Sequence, residues 1–171
     1  MLKTKGIYEA LDAAALLQEE YPKIELVVAG DGPELAGAKS HAKATGLGNV
    51  RFLGYVSGDE KDAALATARV FFLPSYSEGF PNALVEAMAY GLPSVIRSVG
   101  GVANFFENEV HGFITESFSP EVFARYIARL YEDRDLYAAV SDNNARYARA
   151  HFTASGAAQR LEEIYRNCLG A

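Results

Sequence analysis

The sequence predicts an α/β domain: a doubly wound parallel sheet with helices on both faces. Short apolar runs such as Glu25–Ala29 and Val70–Leu73 read as strands, the latter as one buried on both faces. Stretches of helical period separate them, so strand and helix patterns alternate, which is the pattern of parallel sheets. A length of 171 residues with 50% hydrophobic content suits a single domain, residues 1–171, with a real core.

The elements follow in order. Ile7, Leu11, Ala14 and Leu17 fall at helical spacing and predict a helix over Ile7–Glu20, broken at Tyr21-Pro22. After the strand Glu25–Ala29, Gly30-Asp31-Gly32-Pro33 turns into a helix over Glu34–Thr45, ended by Gly46. Asn49–Leu53 reads as a strand left through Gly54-Tyr55-Val56, and Asp59 is the expected cap of a helix running to Ala68. Pro74 ends the run Val70–Leu73. A polar loop, Ser75–Gly79, leads to Pro81 and a helix over Asn82–Tyr90, stopped by Gly91 and Pro93. Ser94-Val95-Ile96 starts a strand, Gly100-Gly101 opens a tight loop, Val102–Glu107 is a short helix or turn, and Gly112–Thr115 is the last strand. Helices are expected over Pro120–Tyr131, capped by Ser119, then over Asp135–Ala150, and over Ala154–Leu169, capped by Thr153.

Composition excludes several classes. A formal net charge of −6 argues against nucleic acid or an acidic membrane surface as a partner through bulk charge. The single cysteine, Cys168, forms no intrachain disulfide. No apolar run approaches the roughly 20 residues needed to span a bilayer, and the N-terminal stretch carries Glu9 and Asp12, unlike a signal peptide. The expectation is a cytoplasmic protein, with the full-length protein either free or peripheral to the inner membrane. His41, His111 and His151 lack metal-ligand spacing, and Asp133-Arg134-Asp135 reads as a solvated turn rather than a metal site.

Chemistry concentrates between Val70 and Gly101. Two carboxylates, Glu78 in the loop and Glu86 in the helix, flank backbone N–H groups from Gly79 to Leu84. Such a helix start offers unpaired donors and partial positive charge, a ready anion site. The helix is apolar almost all round, so it is expected to be buried, and Glu86 there needs a partner, such as the hydroxyls of a sugar or ribose. The competing reading makes Asn82, Glu86 and Tyr90 one solvated stripe at i, i+4 and i+8. At Gly79 a side chain would block close approach of a ligand to the backbone.

The segment SEGFPNALVEAMAYGLP, with its Glu-x7-Glu spacing and following Gly-Gly loop, resembles the donor-site signature of retaining glycosyltransferases of family 4 (group 1), which have the GT-B fold. VVAGDGPEL, RFLGYV and HGFI extend the resemblance over most of the chain. It implies the C-terminal, Rossmann-like half of a GT-B enzyme, binding a nucleoside-diphosphate sugar for retaining, metal-independent hexosyl transfer in carbohydrate biosynthesis. No cofactor is implied, the nucleotide sugar being substrate. In this resemblance Glu78 meets the donor sugar and Lys5 the diphosphate, both as catalytic residues. Glu86 holds the ribose hydroxyls, and Gly79, Phe80, Pro81, Asn82, Ala83 and Leu84 meet the diphosphate or sugar. Gly30 and Gly32 let the backbone run near the donor, Gly100 and Gly101 border it, and Leu53 and Tyr55 lie where the nucleobase is held. Tyr55 either covers the base or packs ordinarily.

The chain also departs from the pattern. The family's opening strand and its arginine have no counterpart before Lys5-Gly6. That strand is central in the family, so a gap is expected between the strands at Leu26 and Phe71. The consequence is either a closed-up sheet or self-association at the open edge. Asn104 stands where a glutamate is usual. Arg97 replaces a small residue and either adds a cation near the phosphates or faces solvent. The acceptor-binding N-terminal domain is absent, which fits an excised C-terminal domain, with a natural half-protein that pairs with another chain as the alternative. The rival functions are a nucleotide or nucleotide-sugar binding module without activity of its own and a GT-B epimerase or phosphorylase. No lysine follows Lys61, which argues against a phosphorylase with its pyridoxal lysine.

Overall fold

The computed structural model describes residues 2–169. Its elements are α1 (Ile7–Glu20), β1 (Leu26–Ala29), α2 (Leu35–Ala44), β2 (Val50–Gly54), α3 (Gly58–Thr67), β3 (Phe71–Leu73), α4 (Asn82–Ala89), β4 (Ser94–Arg97), β5 (Gly112–Thr115), α5 (Pro120–Glu132), α6 (Arg134–His151) and α7 (Ala154–Leu169). Short 3-10 turns cover Lys3–Lys5 and Gly100–Asn104. The strand and helix order is the expected one. Capping differs in detail: α3 starts one residue before Asp59, at Gly58. The Ser119 hydroxyl bonds Glu121 rather than a backbone amide. Asp133 in turn caps α6 by accepting from Leu136 N at 2.9 Å.

Every described strand pairing between named strands is parallel, as expected, but the strands form two sheets rather than one. β1 pairs with β2, and β4 lies between β3 and β5. No ladder joins β1 to β3 among the described residues, so the break falls where a gap was expected, and the sheet has not closed over it. This also corrects the burial expected of β3. Phe71, Phe72 and Leu73 are only half-buried because β3 is an edge strand here, whereas all of β4 is buried.

Side chains of the larger sheet alternate between two cores, as the period of two dictates. Val95 and Phe113 pack with Ala13 and Leu17 of α1 and with Phe123, Ile127 and Leu130 of α5. Ile96 and Ile114 face the other way, onto Leu84 and Met88 of α4 and Ala148 of α6. The smaller sheet has its own core, where Val28 meets Ile7, Leu11 and Ala14 of α1 and Ala38 and Ala42 of α2. Helix α1 therefore serves both sheets. No described helix is long and apolar enough to cross a membrane.

Candidate donor site

Three backbone segments meet at the C-terminal ends of the strands, the usual ligand edge of a parallel sheet. The Lys5-Gly6 turn abuts the exit of β3 so closely that a Cβ on Gly6 would lie 2.2 Å from the Pro74 carbonyl oxygen. The loop after β3 is tied to this turn by Tyr76 N–H donating to Thr4 O at 2.8 Å, and by the Tyr76 hydroxyl on Glu9. Gly100 lies against the far end of the same loop. Its φ is +59°, and a Cβ there would lie 1.9 Å from the Glu78 carbonyl oxygen. Gly101 N–H donates to Gly79 O at 3.1 Å. Glycine at position 100 is thus required by packing within the protein. At Gly79 nothing lies within 4 Å of the point a Cβ would occupy, so that space is open to a ligand.

This junction brings Lys5 and Glu78 together. The Lys5 Nζ lies 2.8 Å from both Glu78 carboxylate oxygens. The Glu78 side chain is 8% exposed and Lys5 46%, so the carboxylate is sheltered while its cation borders solvent. Beyond Glu78, the N–H groups of Gly79, Phe80, Asn82 and Ala83 meet no acceptor among the described residues. Pro81 carries no N–H and receives the first turn of α4, from Leu84 N at 2.9 Å. Unpaired donors, a helix start and a lysine converge on one patch, an arrangement suited to an anion.

Glu86 departs from expectation. Helix α4 buries Leu84, Ala87 and Met88 but leaves its other face open, and the Glu86 side chain is 42% exposed. Its partner is Lys61 of α3, 3.0 Å away, and that hydrogen bond and charge raise the lysine's pKa. Tyr90, on the same face, has its pKa raised by desolvation and by the neighbouring Asp62 carboxylate. Glu86 is therefore neither deeply buried nor unpaired, and Asn82, Glu86 and Tyr90 do share one open stripe. Sequence reasoning missed Lys61, since a pair spanning 25 residues between two helices leaves no periodic signal.

On the smaller sheet, Gly30 N–H donates to Gly54 O at 2.7 Å, placing the Gly30-Asp31-Gly32 turn beside the exit of β2. Gly30 and Gly32 have φ of +138° and +140°, conformations that favour glycine. Leu53 is half-buried, and Tyr55 is 76% exposed, so ordinary packing does not account for it. Phe80 is 48% exposed and packs its ring near Phe105 and Phe152. Arg97 neither faces solvent nor stands free: it is 7% exposed, and it donates to the carbonyls of Ser75 and Glu116. The signal available for it was a charged residue directly after the apolar pair Val95-Ile96 at the end of the strand Ser94–Arg97. Among the described residues no group of three His, Cys, Asp or Glu could hold a metal ion.

The described residues thus form a parallel α/β scaffold whose ligand edge carries a helix start with unpaired N–H donors and a lysine–carboxylate pair. The chain belongs to the family described as glycosyl transferases group 1, whose family model matches residues 1–147. It is 32% identical over 170 residues to the D-inositol 3-phosphate glycosyltransferase of Salinispora arenicola, covering 93% of this chain and 38% of that protein. The alpha-D-kanosaminyltransferase of Streptomyces kanamyceticus is 28% identical, with 95% of this chain and 42% of that protein covered. Among solved structures, Anabaena HepE in complex with UDP-glucose superposes with a TM-score of 0.87 at 25% identity, over 98% of this chain and 46% of that one. The C-terminal domain of the group 1 protein LpcC of Francisella tularensis has the same fold, with a TM-score of 0.80 at 22% identity over 90% of this chain and 83% of that one. The chain thus spans about two fifths of the length of these curated relatives.

Proposed function

We propose that this chain is the donor half of a retaining, metal-independent glycosyltransferase and binds a nucleoside-diphosphate sugar. The observation that carries the reading is the Lys5–Glu78 pair beside the open N–H groups of Gly79, Phe80, Asn82 and Ala83. The donor diphosphate would take those amides and the exposed side of the Lys5 ammonium, with the sugar over Glu78 and the ribose on the second oxygen of Glu86. During transfer the bond from the anomeric carbon to the diphosphate oxygen breaks. The acceptor oxygen bonds that carbon on the same face, and its proton passes to the departing phosphate. Lys5 and the start of α4 stabilise the charge that gathers on the leaving group. The acceptor site would lie in the part of such an enzyme that this chain does not span, since the chain covers 38% and 42% of its relatives' length, and the chain alone is expected to bind without transferring.

Calorimetry with UDP and UDP-glucose tests the assignment. Glu86→Gln keeps the shape and is expected to weaken both ligands about tenfold or more, the worth of a hydrogen bond to a charged group. Glu78→Gln is expected to leave UDP almost unchanged and to weaken UDP-glucose. Negligible effects of both substitutions on both ligands would remove the assignment. A thermal-shift panel of UDP, GDP and ADP then identifies the base.

The break between the sheets supports a second proposal. Leu26 and Phe71 donate to Asn49 O and Pro93 O, so the alternating residues Val27 and Phe72 turn their backbone groups to the open edges. Val27 is 37% exposed. Such edges pair with another strand, here that of a second copy. Light scattering is expected to show mass rising with concentration; a constant monomer mass would refute self-association.

A further inference from the structure

We propose that Arg97 is a positioning residue for Glu78, acting through the loop after β3; the proposal rests on the donor reading above. Arg97 closes β4 and is 7% exposed. Its Nη1 donates to Ser75 O and its Nη2 to Glu116 O, each at 3.2 Å, so one guanidinium holds the loops leaving β3 and β5. Its Cζ lies 3.5 Å from the Phe118 ring centroid and 5.5 Å from that of Tyr76. No ion pair among the described residues includes Arg97, and its Nε has no hydrogen-bond partner. A buried cation without a counter-charge is costly, and an aliphatic side chain would fill the space without that penalty. The charge is instead spent on two loop carbonyls and two rings. Ser75 is fully buried, and Glu78 follows it by three residues. Arg97 fixes the start of this loop, Gly100 and Gly101 fix its end, and the Glu78 carboxylate is carried between them.

Two readouts test this in the whole chain, with Arg97→Met and Arg97→Lys. The first is ligand-free hydrogen exchange. Amides of Tyr76–Gly79 are expected to exchange about tenfold faster in Arg97→Met than in the wild type, with α6 unchanged and Arg97→Lys intermediate. Unchanged loop protection overturns the proposal whether or not any donor binds. The second is calorimetry. Arg97→Met is expected to keep UDP affinity within about twofold and to weaken UDP-glucose about tenfold, with Glu78→Gln adding little further loss in the double variant. Full additivity of the two substitutions would also overturn it. If the wild type binds none of UDP, GDP, ADP or their sugars, the donor reading fails, and exchange alone decides whether Arg97 holds the loop. If Arg97→Met does not fold, Arg97→Lys carries both comparisons.

Discussion

His111 shows how one buried side chain sets a pH limit. It is 3% exposed, and its Nδ1 accepts from Glu107 N–H at 3.1 Å, which places the ring proton on Nε2. That Nε2 has no partner, and burial pushes the pKa below its ordinary value. A second proton would have to go to Nδ1 and break the bond from Glu107. The unfolded chain therefore takes up this proton at a higher pH than the folded one. The contribution to stability is complete above the unfolded value of 6.5 and is lost as pH falls from there through the lowered folded value. Thermal melts between pH 5 and 8 are expected to show the loss in the wild type and a flatter profile in His111→Asn, which keeps an acceptor for Glu107. At this scale the sequence was legible where spacing carries meaning. Glu78 and Glu86 stood out through their position beside a helix start, whereas Lys5 was marked only by the resemblance of Lys5-Gly6 to the family's Lys-Gly. The partners of Glu86 and Arg97 were not legible, because Lys61 and the Ser75 and Glu116 carbonyls are brought there only by tertiary packing.

Among the elements, α6 anchors the sheet behind the site through Asn144. This residue is fully buried, and its Nδ2 donates to Leu92 O at 2.9 Å and to His111 O at 3.0 Å, the approaches to β4 and β5. Asn144→Leu leaves both carbonyls without this donor and is expected to cost about 1–3 kcal/mol. Denaturant unfolding checks it, with the midpoint falling and the slope unchanged. Asn144 lies at helical spacing between Val140 and Ala148, so the period of α6 places it on the buried face, but its polar side chain gave no sign of which carbonyls it would meet. Helix and strand limits were legible to within a residue or two. α1 and β5 fell at the expected residues because Tyr21-Pro22 and Gly112 punctuate them. The burial of α4 was misjudged because alanine fits an exposed helical face as well as a buried one, and Ala83 and Ala89 are exposed.

The whole molecule is divided by the break in its sheet. The parallel order was legible, and so was the site of the gap, but not that the strands would settle as separate sheets. No backbone ladder crosses the break among the described residues, and α1 contributes to the cores on both sides. Leu11 is fully buried in the smaller core, and Leu11→Ala is expected to cost about 2–5 kcal/mol. Its effect on native-state exchange is expected mainly at β1 and β2, with β4 amides keeping more of their protection. Uniform loss across all five strands would show that the halves unfold as one. The proposed donor contacts are shared between these halves: Gly30, Leu53 and Tyr55 belong to one, Glu78 and Gly79 to the other. A nucleotide sugar lying across them is then a non-covalent cross-link that does for cooperativity what the missing ladder does not. Scanning calorimetry is expected to show a broad transition for the free chain. With UDP-glucose bound it sharpens, and the van't Hoff enthalpy approaches the calorimetric one.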